Sequence, residues 1–203
     1  MQYPDKLTII LPQFTMVIDQ NKRAYSIKLV FLPAFAVLHA ERQGDDHIVF
    51  QERIEVDTSG EGSIDLLTKL GDELAPDTTL CGWRLDRQIA SLVRVPRDSD
   101  RDEEGRAALL QLSSALANPP IDVGWFDGAS GLPTLISAAA RHGLPAQWRD
   151  PPSARASIDA QLLAGRVRSM WAAVADKLLQ KGEARRKAFA SFDRFNSQGG
   201  GMK

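Results

Sequence analysis

The side chains able to do chemistry in this chain are few and scattered. Cys81 is the one cysteine, which excludes an internal disulfide and any all-cysteine zinc site, and it reads as a small buried apolar residue. His39, His47 and His142 stand far apart and none is paired at metal-ligand spacing, so any metal here would have to be held by oxygen. There is no Gly-x-Ser-x-Gly elbow, no Walker-type loop and no dinucleotide-binding glycine loop. The glycines of Gly60-Glu61-Gly62 and Gly124-Trp125-Phe126-Asp127-Gly128 suit turns instead. One charged cluster remains as a candidate. Near the C-terminus, Lys177, Lys181, Arg185, Arg186, Lys187, Arg194 and Lys203 face only Glu183 and Asp193, a pattern that fits either a solvated helix end or an arm that contacts phosphates.

The remaining composition is balanced. With 203 residues, 43% hydrophobic, 25% charged and a net charge of −1, the chain suits one soluble domain and carries no global field toward nucleic acid. No apolar run approaches the roughly 20 residues of a membrane span, and the N-terminus lacks a signal-peptide pattern. A cytoplasmic location with no membrane partner is the expectation. Residues 1–180 are expected to form the domain and 181–203 a basic C-terminal extension ending in a flexible tail.

The elements that must position the candidates follow from periodicity. Leu7–Leu11, Phe14–Ile18 and Ser26–Phe31 read as strands, and Phe35–Ala40 with His47–Val56 brackets a turn at Gly44-Asp45-Asp46, which predicts a hairpin. Helical spacing begins at Ile64 and runs to Leu74. Thr78–Cys81 is a short strand, and Arg84–Val95 is helical. Arg97–Arg106 reads as an exposed charged loop, Ala107–Leu116 as a helix, Ile121–Phe126 as a strand and Leu132–His142 as a helix capped by Gly143. Ser157–Leu179 is a long amphipathic helix, preceded by a proline-containing loop at Arg149–Ser153. This order, an antiparallel meander followed by α/β steps, predicts an α/β fold of the ribonuclease H-like type, a mixed sheet flanked by helices.

Three segments, taken in order, resemble one family. Phe14-Thr15-Met16-Val17-Ile18-Asp19-Gln20-Asn21 is an apolar strand ending in an acid. Thr79-Leu80-Cys81-Gly82-Trp83-Arg84-Leu85-Asp86 is a strand, a bend and an aspartate one turn into a helix. Ser157-Ile158-Asp159-Ala160-Gln161-Leu162-Leu163-Ala164 places an aspartate at the start of a terminal helix. Together they are similar to the motifs of the DnaQ-like 3′–5′ exonucleases with a DEDD carboxylate set. Ile121–Trp148, with its His142-Gly143-Leu144-Pro145 turn, resembles the segment before the last motif, and the likeness extends from about Phe14 to Leu179.

The resemblance implies metal ligands at Asp19, Asp86 and Asp159 for Mg²⁺ or Mn²⁺, which such enzymes use in pairs for in-line displacement at phosphorus. It also implies decay. Asn21 stands where a glutamate is expected, and Ala154 and Arg155 occupy the places of the histidine or tyrosine base. A lost base costs about 10² to 10⁴ in rate, and a weakly held cation adds to that. His142 and Glu41 are the nearest residue types that could compensate. The implied activity is a degenerate 3′–5′ exonuclease, weakly active or inactive, binding single-stranded 3′ ends through Trp83 by stacking and through Arg185, Arg186 and Lys187 by phosphate contacts. The alternative is a catalytically dead interaction module whose long helix offers Met170, Trp171 and Val174 to a protein partner or a second copy.

Overall fold

The computed structural model describes residues 2–19, 26–44, 47–57, 63–95, 102–128, 131–145, 148 and 159–199. Three strands open the chain: β1 (Lys6–Asp19), β2 (Ser26–Gln43) and β3 (His47–Val56). They are followed by α1 (Ser63–Asp72), β4 (Thr79–Gly82), α2 (Leu85–Leu92) and α3 (Asp102–Ala115). Next come β5 (Ile121–Asp122), a 3₁₀ turn (Val123–Trp125), α4 (Leu132–Arg141), α5 (Ala160–Leu178) and α6 (Glu183–Ser197). The strands form one sheet in the order β3-β2-β1-β4-β5. Strand β2 is antiparallel to β1 and β3, whereas β4 is parallel to β1 and β5 is parallel to β4. This is the expected α/β mixed sheet, an antiparallel meander extended by two parallel α/β steps, an arrangement consistent with a ribonuclease H-like fold.

Strand side chains alternate between faces, and here both faces are covered. Leu7, Ile9 and Leu11 of β1 join Cys81, Ile121, Leu135, Val167 and Trp171 in a core beneath α4, α5 and α6. Ile10 joins Phe35, Val37, Leu80, Leu66, Leu70 and Leu92 in a second core beneath α1 and α2, with Ala108 and Leu112 of α3. Strands buried on both sides read as continuous apolar runs rather than alternating ones, which explains why Leu7–Leu11 has no polar phase.

Several boundaries differ from the sequence expectation. The paired short strands fuse into the long β1 and β2, with a register irregularity between Gln13 and Thr15 where a bulge absorbs the mismatch. Ile121–Phe126 is strand only over Ile121–Asp122, because the Asp122 carboxylate accepts a hydrogen bond from Gly124 N at 2.8 Å and turns the chain into the 3₁₀ turn. Arg97–Arg106, expected to be a loop, is already α3 from Asp102. Acidic residues at a helix start are favoured by its dipole. Helix α3 also packs tightly on α1, since a Cβ on Gly71 would lie 2.9 Å from Ala108.

Within the stretch expected to be a basic extension, 181–203, helix α6 packs against β3, and Phe192 is fully buried between Trp171 and Phe50. Met170, Trp171 and Val174, expected to face a partner, are fully buried as well. The apolar face of α5 is the centre of the core and not a docking surface. Trp171 donates to Tyr3 Oη at 2.9 Å, tying α5 to the start of the chain. No helix among the described residues is long and apolar enough to cross a membrane.

Two polar features fix this face. Glu52 of β3 and Arg168 of α5 form a fork-to-fork pair with N···O distances of 2.9 and 2.6 Å, their side chains 1% and 11% exposed, and the guanidinium lies 5.0 Å from the Phe195 ring centroid. Breaking such a pair leaves a buried charge uncompensated. Arg168→Met is therefore expected to lower unfolding free energy by about 3–5 kcal/mol in urea titrations, whereas the double change Glu52→Leu with Arg168→Met recovers most of that loss.

The second feature is His142, at the end of α4. Its ring stacks on Phe189 at 5.0 Å with 2° between planes, and its buried Nε2 has no hydrogen-bond partner among the described residues. Burial holds its pKa below the ordinary value of 6.5, against the opposing pull of Asp193 and Asp176, with Arg141 and Arg185 reinforcing the fall. Above pH 6.5 the ring is neutral folded and unfolded, so it makes stability no function of pH there. As pH falls below 6.5 the unfolded chain takes up the proton first, and stability declines until the lowered folded pKa is passed. Denaturation midpoints at pH 7.5 and 5.5 should therefore fall further for the wild type than for His142→Phe.

Candidate functional site at the carboxyl edge of the sheet

In an open α/β sheet the crevice forms at the carboxyl ends of strands where the chain order reverses, because neighbouring connections there depart in opposite directions. In the order β3-β2-β1-β4-β5 that point lies between β1 and β4. The residues just past β4 are Trp83 and Arg84, and those just past β5 are Val123, Gly124 and Trp125.

One carboxylate holds these two turns together. Asp122 accepts hydrogen bonds from Arg84 N at 2.8 Å, Leu85 N at 2.9 Å and Gly124 N at 2.8 Å. It thereby satisfies two of the open N–H groups at the start of α2, an end that has no side-chain cap of its own. The clamp puts Arg84 at φ 53 and ψ 54, and Arg84 is the one non-glycine residue with positive φ among those described. For a residue with a Cβ the left-handed region costs about 1–2 kcal/mol, and such outliers concentrate at functional sites. The packing leaves little slack. A Cβ on Gly124 would sit 3.2 Å from Arg84 N, and one on Gly131 would sit 2.0 Å from the Val123 carbonyl oxygen.

Two tryptophan rings meet at this edge, with a guanidinium beside each. The Arg84 guanidinium lies 5.2 Å from the Trp83 ring centroid, Trp83 meets Trp148 edge-on at 5.4 Å, and Arg166 lies 5.8 Å from Trp148. Arg84 forms no ion pair among the described residues; its guanidinium meets the Trp83 ring. Burial lowers the pKa of Arg166, but a guanidinium remains charged at any ordinary pH. Trp148 Nε1 is buried with no hydrogen-bond partner among the described residues. Trp125 is 71% exposed on the 3₁₀ turn. Trp125, Trp148, Arg84, Arg166 and Asp122 were not singled out by sequence reasoning. A Gly–Trp pair after each of two short strands, Gly82-Trp83 and Gly124-Trp125, is the signal that could have found the edge.

The expected site residues fall differently. Trp83 is at this edge, half-buried. Asp86 is exposed on the first turn of α2. Asp159 caps α5, its carboxylate accepting from Gln161 N at 2.8 Å and Leu162 N at 3.3 Å. Asp19 ends β1 opposite Ser26, ten residues beyond Ile9, the last β1 residue in register with β4. At about 3.3 Å per residue that is roughly 33 Å of strand past the β4 pairing. Asn21 and Ala154 lie outside the described residues. Among the described residues no three histidine, cysteine or acidic side chains converge on a metal-binding point. Asp86 and Asp159 thus belong to no such cluster among the described residues, and the side chain of Asp19 lies outside the described ones.

Of the C-terminal cations, Arg185 binds Asp176 and lies over Phe189, and Lys187 is 3.4 Å from Glu183. Arg186 is exposed beside Lys181 on an open concavity of about 540 Å³. Glu41 is 4.0 Å from Lys6 and His142 packs on α6, so neither stands in for a missing base at this edge. Cys81 is fully buried and its thiol is pushed far up by desolvation, which keeps it an inert core residue. Thr8, His39 and Glu73 form a hydrogen-bonded chain, 3.1 Å from Thr8 Oγ1 to His39 Nδ1 and 2.9 Å from His39 Nε2 to Glu73 Oε2. The Thr8 hydroxyl is 2% exposed and shared with Thr78 at 2.9 Å, so this chain satisfies buried polar groups and has no open nucleophile.

No protein-family model, curated protein or solved structure matches this chain. The strain at Arg84 makes a prediction independent of any ligand. Arg84→Gly removes the Cβ penalty against a smaller entropic loss in the unfolded chain, and it should raise unfolding free energy by about 0.5–1 kcal/mol in urea titrations. A destabilised variant would show that the left-handed turn is not strained.

Proposed function

We propose that this chain is a degenerate exonuclease-like protein of nucleic-acid metabolism that holds the end of a single-stranded nucleic acid at the carboxyl edge of its sheet and hydrolyses it feebly or not at all. One observation carries the reading: an arginine is kept in a strained left-handed turn at the switch point, unpaired among the described residues and beside a tryptophan. A tryptophan ring beside a guanidinium group suits single strands, because every base offers a π-face and every step a phosphate. The resemblance of the three motif segments supplies the 3′ polarity and the exonuclease ancestry. The displaced Asp19 and the capping role of Asp159 support the loss of catalysis. Arg186 offers a further phosphate contact on α6.

The reading makes binding salt-dependent, since phosphate contacts release counterions. Fluorescence anisotropy with labelled single-stranded DNA and RNA should show affinity falling as salt rises from about 50 to 200 mM. Arg84→Gly, more stable than wild type, should bind about tenfold more weakly and flatten the salt slope by about one unit. Absence of binding at low salt, or binding indifferent to salt, would reject the proposal.

A further inference from the structure

Trp125 is the largest apolar side chain left open to solvent among the described residues, where a tryptophan is ordinarily covered. Its backbone is held rigidly for a turn. Gly124 N donates to Asp122, Phe126 N donates to the Val123 carbonyl at 3.2 Å, and Gly128 N donates to the Trp125 carbonyl at 3.3 Å. Gly131 is wedged against Val123 with no room for a side chain. A ring on such a turn loses little conformational freedom when a ligand covers it.

The surrounding charges are matched to an anion. Arg84 packs against Gly124, a Cβ there lying 3.4 Å from Arg84 Cγ. The exposed Lys177 ammonium donates to the carbonyl of Phe126, the residue after Trp125, at 3.4 Å. The nearby acids are engaged by the turn itself, Asp122 by three backbone N–H groups and Asp127 by Gly131 N at 2.8 Å and Thr134 at 3.5 Å. An open indole with a cation beside each of its chain neighbours, Gly124 and Phe126, complements a nucleobase with its flanking phosphates. We infer that Trp125 is a base-stacking platform, taking one base on its exposed face while Arg84 and Lys177 engage the phosphates on either side. This rests on the nucleic-acid reading above and adds the residue that would make the site tolerant of sequence, because stacking does not distinguish base edges.

The test is a titration of the full chain with single-stranded oligothymidylate, read by intrinsic tryptophan fluorescence and by anisotropy of a labelled strand. Trp171 and Trp148 are buried and Trp83 is half-buried, so a base on the exposed Trp125 should produce most of the quenching. Trp125→Ala should abolish most of that quenching and weaken binding about tenfold. Trp125→Tyr, which keeps a ring, should restore most of the affinity, and circular dichroism should show both variants folded. Unchanged affinity for Trp125→Ala, while Arg84→Gly still weakens binding, would overturn the role of Trp125 and leave the nucleic-acid reading standing. No oligonucleotide binding by the wild type would overturn both. A change in sedimentation of Trp125→Ala with unchanged affinity would assign the ring to a protein contact instead.

Discussion

Because β1, β2 and β4 are covered on both faces, few polar side chains can leave the sheet through its faces without losing water. The two cores, one under α4–α6 and one under α1–α3, take Leu7, Ile9, Ile10 and Leu11 of β1 and the run Ala34–Leu38 of β2. Thr8 interrupts the buried run of β1, and it is tolerated because Thr78 and His39 satisfy its hydroxyl. Chemistry and recognition are thus confined to strand ends, where turns replace packing. A buried charge has the same limitation, which is why Glu52 and Arg168 occur as a fully paired fork rather than singly.

At the carboxyl edge a single acid organises the turns. Asp122 gives one carboxylate to three amides on two segments, joining the end of β4 to the end of β5. A charged acceptor makes stronger hydrogen bonds than a neutral one, and this offsets the strain it imposes on Arg84. The outcome is a local rule broken within an otherwise consistent fold, with apolar strands inside and each helix burying one stripe. Violations of that kind concentrate where a surface has a task. The Trp83–Trp148 contact and the two flanking guanidinium groups lie around the same turn.

The acids that invite comparison with a metal-dependent nuclease show why short motifs are insufficient. Asp159 fits the pattern of an acid opening a helix, and the fold uses it as an N-cap, the commonest employment of aspartate in that position. Asp86 sits one turn into α2 as expected and faces solvent. Asp19 ends an apolar strand as expected, but the register of β1 against β4 is set by Leu7–Ile9, so the acid is carried along the hairpin away from the β4 edge. A sequence motif records what precedes and follows a residue, whereas a site depends on which strand lies beside it.

The sequence by itself determined the alternation of elements, and with it the meander, the two parallel steps and the mixed sheet, because hydrophobic periodicity and glycine or proline stops act within a few residues. It also determined that Cys81 is buried, that Gly44 turns the β2–β3 hairpin with φ 51, and that Gly143 follows α4 with φ 60. Only the tertiary structure decided that α3 begins at Asp102, that Phe192 brings α6 into the core, and that α5 faces inward. Each of those depends on partners distant along the chain, Gly71 for the first, Phe50 and Trp171 for the others. The carboxyl-edge site belongs to the same class. Arginine carries no propensity for positive φ, and its conformation at position 84 follows from an aspartate 38 residues away that only the pairing of β4 with β5 sets beside it.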